Sequence, residues 1–399
     1  MVRVVLLGQG MVGTHFAVGL ERLKEGEIEP YGVPLADLDL GYTFDDIKIV
    51  ASVDVDARKV GKSVYEVARE LYGFEKVPSA LKEVEVRAGL ELGRMRDMEV
   101  PVRALDRERD LPEAIEEFYE YFLELKPDVV VDVCTTQRGP VIRDLRELER
   151  AVEEQRIREL APSHLYAYLA LRYAAEVAPV AYVNLIPIPI ANSPAFVERA
   201  AELDSLVLGD DGATGATPLT ADILEHLRER NRYVKSIAQF NIGGNTDFLA
   251  LLDEERNRAK EFTKSSVVKD ILGYEAPHFI RPTGYLEPLG DKKFVAMHVE
   301  YVSFNGAVDE IVVNMRINDS PALAGYIVDL TRLAKLALEA GISGTIYEVN
   351  AFYTKKPGPP GSPNISRIAA YYKLLEFIEK ELGPKVGRKL GRVEVEVAE

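Results

Sequence analysis

The chain opens on Val2 to Leu7, an apolar, β-branched run broken only by Arg3, of the kind that fills a strand covered on both faces of a parallel sheet. Gly8-Gln9-Gly10-Met11-Val12-Gly13 follows, and Met11 to Leu23 then has helical spacing. A second buried strand is expected at Ile47 to Val53, closed by Asp54, then a helix at Leu111 to Leu125 and a third buried strand at Asp128 to Val133. Ile142 to Glu159 and Pro162 to Val177 read as helices and lead to a strand at Val180 to Ile186, after which Pro187 to Pro194 can only be a loop. Such alternation predicts a doubly wound parallel sheet. From Val234 the grammar changes. Lys235 to Ile242 alternates like a half-exposed strand, and two further runs, Val295 to Phe304 and Ala307 to Ile317, flank Asn305-Gly306, a strong hairpin signal. The second unit is therefore a mixed or antiparallel sheet, after which helices at Ala322 to Ala340 and Ile365 to Leu382 return to the first unit.

Composition narrows the function classes. At 399 residues the chain exceeds one average domain, and its 47% hydrophobic content can build a large core. No apolar run approaches the ~18 residues of a membrane span, and no signal peptide precedes the first strand, so no membrane association is expected. Cys134 is the single cysteine, which excludes an internal disulfide or Cys-rich zinc site and fits a cytoplasmic location. The net charge of -16 argues against a nucleic-acid partner and implies that any anionic substrate needs a local cationic pocket. Abundant Glu and Arg with one Cys and no Trp point toward a thermophilic source.

The first glycine cluster carries chemistry. Gly8 permits a tight turn, Gly10 lets the backbone approach a pyrophosphate and Gly13 lets the helix pack on its strand, while the N–H groups of Gln9, Met11 and Val12 lie at the helix start. A strand before and a helix after set this cluster apart from a glycine turn without a ligand. Asp54 closes the second strand, where a carboxylate accepts ribose hydroxyls and repels a 2′-phosphate, so NAD is expected over NADP; Asp56 is the substitute. The spacing requires an insertion, Gly26 to Asp46, to loop out between helix and strand. Thr135 and Thr136 follow the third strand and complete the expected cofactor contacts together with Asp210.

The second half resembles the myo-inositol-1-phosphate synthase family, in particular its shorter archaeal and bacterial members. The resemblance rests on the opening turn, Asn184-Leu185-Ile186-Pro187 with Asn192-Ser193-Pro194, Gly209-Asp210-Asp211, Asn241 to Asp247, Ser265-Ser266-Val267-Val268 and Lys355-Lys356-Pro357, in their order and spacing. It implies conversion of D-glucose 6-phosphate to an inositol monophosphate by oxidation at C5 with NAD, enolisation, aldol closure of C6 onto C1, and reduction by the same cofactor. It also implies a homotetramer. The catalytic residues it implies are Lys260 and Lys264, one helical turn apart, then Lys293 (or Lys292), Lys355 (or Lys356), Asp211 and Asp319. Spacing alone would make the first pair a solvated helix face and Asp319 a helix cap. The family's phosphate loop corresponds to Gly212 to Thr217, where Ala213 and Ala216 replace its lysine and glutamine and leave Thr214, Gly215 and Thr217 as contacts. Asn245, Asp247 and Leu251 are expected about the sugar. Five dispersed histidines give no metal-ligand spacing; the resemblance implies that a divalent ion, used by some prokaryotic members, would be held by Asp210, Asp211 or the substrate phosphate.

The fold class expected is thus α/β, a Rossmann-type doubly wound parallel sheet with an inserted α+β catalytic and oligomerisation domain. Residues 1–233 form the NAD-binding part, 234–337 the insertion and 338–399 the returning segment. The alternative function for the same first domain is a conventional NAD-dependent sugar-phosphate dehydrogenase that releases NADH.

Overall fold

The computed structural model describes residues 1–95, 100–137 and 139–383, without the side chains at 246, 247, 255, 256, 259, 260 and 262–265. Its first sheet contains β1 (Val2–Leu7), β2 (Ile47–Asp54), β3 (Val86–Ala88), β4 (Val129–Asp132), β5 (Ala181–Asn184) and β6 (Leu206–Leu208), all parallel, in the order β3-β2-β1-β4-β5-β6. This is the doubly wound order of a dinucleotide fold, and the winding direction reverses between β1 and β4. The strands β1, β4 and β5 are buried, Arg3 alone reaching partly to the surface, because helices cover both faces. Those helices include α1 (Met11–Lys24), α2 (Leu111–Leu125), α3 (Leu145–Glu153), α4 (Pro162–Glu176) and α5 (Pro194–Glu202). The side chain of Asp110 caps α2 on the Glu113 N–H at 3.0 Å, and Lys126 in a left-handed conformation ends it.

The second unit begins with α6 (Ala216–Glu229) and runs through β7 (Tyr233–Gly243), α7 (Glu254–Leu272), β8 (His278–Tyr285), β9 (Lys292–Val302) and β10 (Val308–Asn318). Its sheet is mixed, ordered β10-β9-β7-β8, with β7 and β8 parallel and the other pairs antiparallel. Asn305 and Gly306 sit at φ 59° and 75° between β9 and β10, which only a primed turn requires. After α8 (Asp319–Glu339), α9 (Tyr347–Tyr353) and α10 (Arg367–Phe377) complete the described chain.

Core packing moves the domain borders. Ala221, Leu224 and Leu227 of α6 pack in one cluster with Val234, Ile237 and Val267 of the second unit. Ile327, Leu330 and Leu333 of α8 instead join β1, β2 and β4 in the first core. The division therefore falls at the start of α6 rather than at 233, and at the start of α8 rather than at 337, in keeping with the expected return of the Ala322 to Ala340 helix to the first unit. The 26–46 insertion also departs from expectation. It does not simply loop out, because Val33, Leu35, Leu38 and Leu40 are buried in the first core. Asp329 of α8 accepts the Leu35 N–H at 2.9 Å, and Arg332 donates to the Leu35 carbonyl at 3.1 Å.

Candidate active site

Two adjoining cavities open at the carboxyl ends of β1 and β4, the switch point of the first sheet. The larger, about 300 Å³, is lined by Gly8, Gly10, Asp54, Lys59, Tyr72 and Thr135, among others. The smaller, about 130 Å³, is lined by Met11, Val12, Asp211, Thr214, Lys293, Asp319 and Lys355, with others from both units. Gly10, Val133, Cys134, Thr135 and Thr136 border both, so the glycine turn joins the two spaces.

The three glycines of the turn are demanded for different reasons. Gly8 has φ 101°, and a Cβ there would lie 2.7 Å from the Val133 carbonyl oxygen. A Cβ on Gly13 would strike the Gly8 carbonyl. Gly10 meets nothing within 4 Å and has φ -79°, which any residue adopts. Nothing inside the protein requires glycine at this position, yet a side chain there would fill the space over the N-terminus of α1. That is the cradle a dinucleotide pyrophosphate needs, and NAD fits it. The turn is pinned by Gly8 N–H to the Val53 carbonyl at 2.8 Å and by Gln9 N–H to Asp54 at 2.9 Å. Gln9's side chain turns inward and donates to Thr14 at 2.9 Å, and its carbonyl accepts from the Tyr72 hydroxyl at 3.3 Å, so Gln9 shapes the turn.

Asp54 is more heavily committed than the sequence suggests. One carboxylate oxygen accepts the Val55 and Asp56 N–H groups at 2.8 and 2.9 Å; the other accepts Gln9 N–H and the Lys59 ammonium, the latter at 2.9 Å. Burial opposes the Lys59 charge, but Asp54, with Tyr72 and Asp56, outweighs it and raises the ammonium above its usual range. Asp56 is buried and held by Arg58 at 2.6 Å.

The smaller cavity gathers cationic ends in a strongly acidic chain. The N-termini of α1, α6 and α8 all reach it or its border, and none has a side-chain cap from its own N-cap residue, Gly10, Gly215 or Asn318. Gly215 has φ 74°, and a Cβ there would lie 2.7 Å from Lys293 Nζ and 2.8 Å from Asp319 Oδ1. Two ion pairs stand inside. Lys293 Nζ is 3.0 Å from Asp319 and Lys355 Nζ is 3.0 Å from Asp211, with both lysines buried. The alternation of β9 turns Lys293 inward and Lys292 outward. Backbone pairing of Lys355 N–H to the Asp211 carbonyl, at 2.6 Å, sets Lys355 rather than Lys356 on Asp211.

Thr214, Asn245 and Leu251 also line the smaller cavity, whereas Thr217 lies buried in α6 beside it. Asn245 donates to Asp291 at 3.1 Å, and Asp291 accepts the Ser320 hydroxyl at 2.5 Å. Asp210 is not brought to either cavity. Its buried carboxylate accepts from Asn184, Asn192 and the backbone N–H groups of Ile190 and Ala191, and so folds the 187–194 loop; burial pushes it up to about 6. Lys260 and Lys264 fall on α7, and Asp247 on the short helix Thr246–Ala250; their side chains lie outside the described residues. Among the described residues no three or more His, Cys, Asp or Glu converge as a metal would need. Ser320, Phe248, Leu323 and Lys59 line the cavities without having been singled out in the sequence. Ser320 adjoins Asp319 and Lys59 follows Asp54 by five residues, but only folding aims them inward.

Comparison with known proteins places this geometry. A family model described as myo-inositol-1-phosphate synthase matches residues 215–320. A solved structure of a myo-inositol-1-phosphate synthase-related protein from Thermotoga maritima MSB8 is 53% identical, covers 94% of this chain and 98% of its own, and superposes with a TM-score of 0.88. The chain belongs to the myo-inositol-1-phosphate synthase family. Within it, the inositol-3-phosphate synthase of Mycobacterium tuberculosis (strain ATCC 25618 / H37Rv) is 26% identical over 383 residues, spanning 94% of this chain and 95% of that protein. The inositol-3-phosphate synthase of Caenorhabditis elegans shares the fold, with a TM-score of 0.75 at 18% identity over 94% of this chain and 85% of that one. The matched segment 215–320 begins at the α6 N-cap and ends at Ser320, so it spans one side of the smaller cavity from Gly215 to the α8 N-terminus.

Proposed function

We propose that this family member makes an inositol phosphate, converting D-glucose 6-phosphate to 1L-myo-inositol 1-phosphate by an NAD-dependent isomerising cyclisation. The observation that carries the reading is the junction of the two cavities. The pairs Lys355–Asp211 and Lys293–Asp319, their lysines buried, stand in a space bordered by three helix N-termini and share its wall, Gly10 and 133–136, with the dinucleotide cradle. NAD, when bound, supplies the oxidation at C5 and the return of the same hydrogen.

The chain's own residues account for the rest. The N–H groups of α1 and α6, with the Thr214 hydroxyl, offer the donors that a phosphate and developing oxyanions need, while the Ser320 N–H of α8 is taken by Asp291. Ala213 and Ala216 supply no cation to that loop, so charge compensation for the phosphate falls to the lysines and helix ends. Each lysine paired with a carboxylate can, as the ammonium, yield a proton to a sugar oxygen and, as the amine that remains, take one from a sugar oxygen or carbon, while its partner holds it in place. Lys260 and Lys264 complete the proposed set from α7.

The test is incubation with glucose 6-phosphate and NAD, with the product followed as phosphate released by periodate. Inositol phosphate should form without net NADH. NADH accumulating in step with substrate loss, and no cyclised product, would make the protein a conventional dehydrogenase. Lys355→Ala should lower turnover by about 10²–10⁴-fold while NADH still binds; lost NADH binding would move Lys355 to the cofactor site.

A further inference from the structure

The adenosine end of the larger cavity does not carry the negative charge that Asp54 implies by itself. Lys59 Nζ sits 2.9 Å from Asp54 and 3.9 Å from Asp56, and Arg58 closes on Asp56 at 2.6 Å. All four side chains line the cavity, so two carboxylates face two cations and the wall is formally neutral. Arg58 keeps half of its side chain exposed, whereas Lys59 is nearly buried.

A carboxylate rejects a 2′-phosphate by charge, and a nearby basic side chain accepts it. Here both are present within five residues of the β2 end, and the carboxylate oxygen that a ribose would approach is already bonded to Gln9 N–H and Lys59. An ammonium has three donors, of which Asp54 takes one and the Tyr72 hydroxyl a second; Arg58's bidentate contact with Asp56 uses Nε and one terminal nitrogen and leaves the other. Resting on the reading of this cavity as the dinucleotide site, we propose that Lys59 and Arg58 form a 2′-phosphate subsite, so that the protein accepts NADP(H) as well as NAD(H). Lys59 is then the selectivity-determining residue of the cofactor site, and Asp54 is chiefly the pin of the glycine turn.

Equilibrium binding of NADH and NADPH to the full-length protein, read from nicotinamide fluorescence at fixed ionic strength, tests this without reference to turnover. The dissociation constants of the two should lie within about tenfold of each other. Lys59→Met should weaken NADPH at least about tenfold more than NADH. Because that variant leaves Asp54 without its cation, the half-exposed Arg58→Ala serves beside it; it should weaken NADPH about tenfold and leave NADH within about twofold. NADH binding with NADPH discriminated by more than that margin, or variants that weaken both dinucleotides equally, would overturn the subsite while leaving the dinucleotide cavity intact. Failure of both dinucleotides to bind the wild-type protein would overturn the cavity's reading and the subsite with it.

Discussion

Gly10 and Gly13 are three residues apart and meet opposite surroundings, and that difference can be measured. Gly10→Ala places a methyl in open space at an ordinary φ, so stability should change by no more than about 0.5 kcal/mol in urea denaturation. NADH affinity should fall at least about tenfold, since the methyl stands where the pyrophosphate approaches. Gly13→Ala drives a Cβ onto the Gly8 carbonyl and should cost about 1–3 kcal/mol of stability. Unchanged NADH affinity in Gly10→Ala would remove the pyrophosphate from this turn. A second residue-scale consequence concerns acid. His164 is wholly buried, stacked 6.1 Å from Phe196, and burial lowers it to about 4. The unfolded chain, at the usual ~6.5, binds this proton first as pH falls. Stability from this group is therefore complete above about pH 6.5 and is lost toward pH 4, by about 3 kcal/mol in all. His164→Phe should flatten that part of the profile of unfolding free energy against pH, and an unaltered slope would contradict it. The glycine roles were legible in sequence because strand, turn and helix adjoin in the chain. His164's burial was not, since a lone histidine in a helical stretch carries no periodic mark of depth.

At the scale of elements, Asp329 is the tie that sets α8, the 26–46 segment and the end of α9 in one arrangement. It accepts from Arg332 at 2.6 Å, from Leu35 N–H at 2.9 Å and from the Tyr353 hydroxyl at 3.0 Å, all buried. Tyr353 lies two residues before Lys355, so the same carboxylate braces the strand of chain that delivers a proposed catalytic lysine. Asp329→Ala leaves the Arg332 charge without its ion-pair partner in the core and should cost about 3–5 kcal/mol. Limited proteolysis should then cut within 26–46, where Tyr31 already stands exposed. A variant that loses under about 1 kcal/mol and resists cleavage would show that the apolar contacts of Leu35 and Leu38 suffice. The tie to the 26–46 segment was not readable in advance, because Leu35 lies 294 positions from Asp329 and hydrogen-bond partners at that range leave no local pattern.

For the whole molecule, the family reading carries a homotetramer, and the second sheet offers a face for it. Phe240, Val308 and Val312 are about half exposed or more, on β7 and β10, and Leu252 and Leu286 are exposed beside that sheet. Light scattering on the eluted protein should give four times the chain mass of 44.4 kDa. Phe240→Asp with Val312→Asp should shift it toward smaller species, and a monomeric wild type would remove the expectation. No helix among the described residues is long and apolar enough to cross a membrane. The sequence by itself determined four of the six parallel strands, the glycine turn and the hairpin, because each is written in local periodicity or turn chemistry, whereas Asp211, Asp319 and the choices Lys293 or Lys292 and Lys355 or Lys356 came only through the family resemblance. Tertiary structure alone decided that α6 belongs to the second core, that Lys293 rather than Lys292 and Lys355 rather than Lys356 face the smaller cavity, that Asp210 braces a loop, and that Lys59 neutralises Asp54. Those outcomes depend on which faces and charges meet across the fold, and the chain pairs them only when its hydrophobic surfaces have closed.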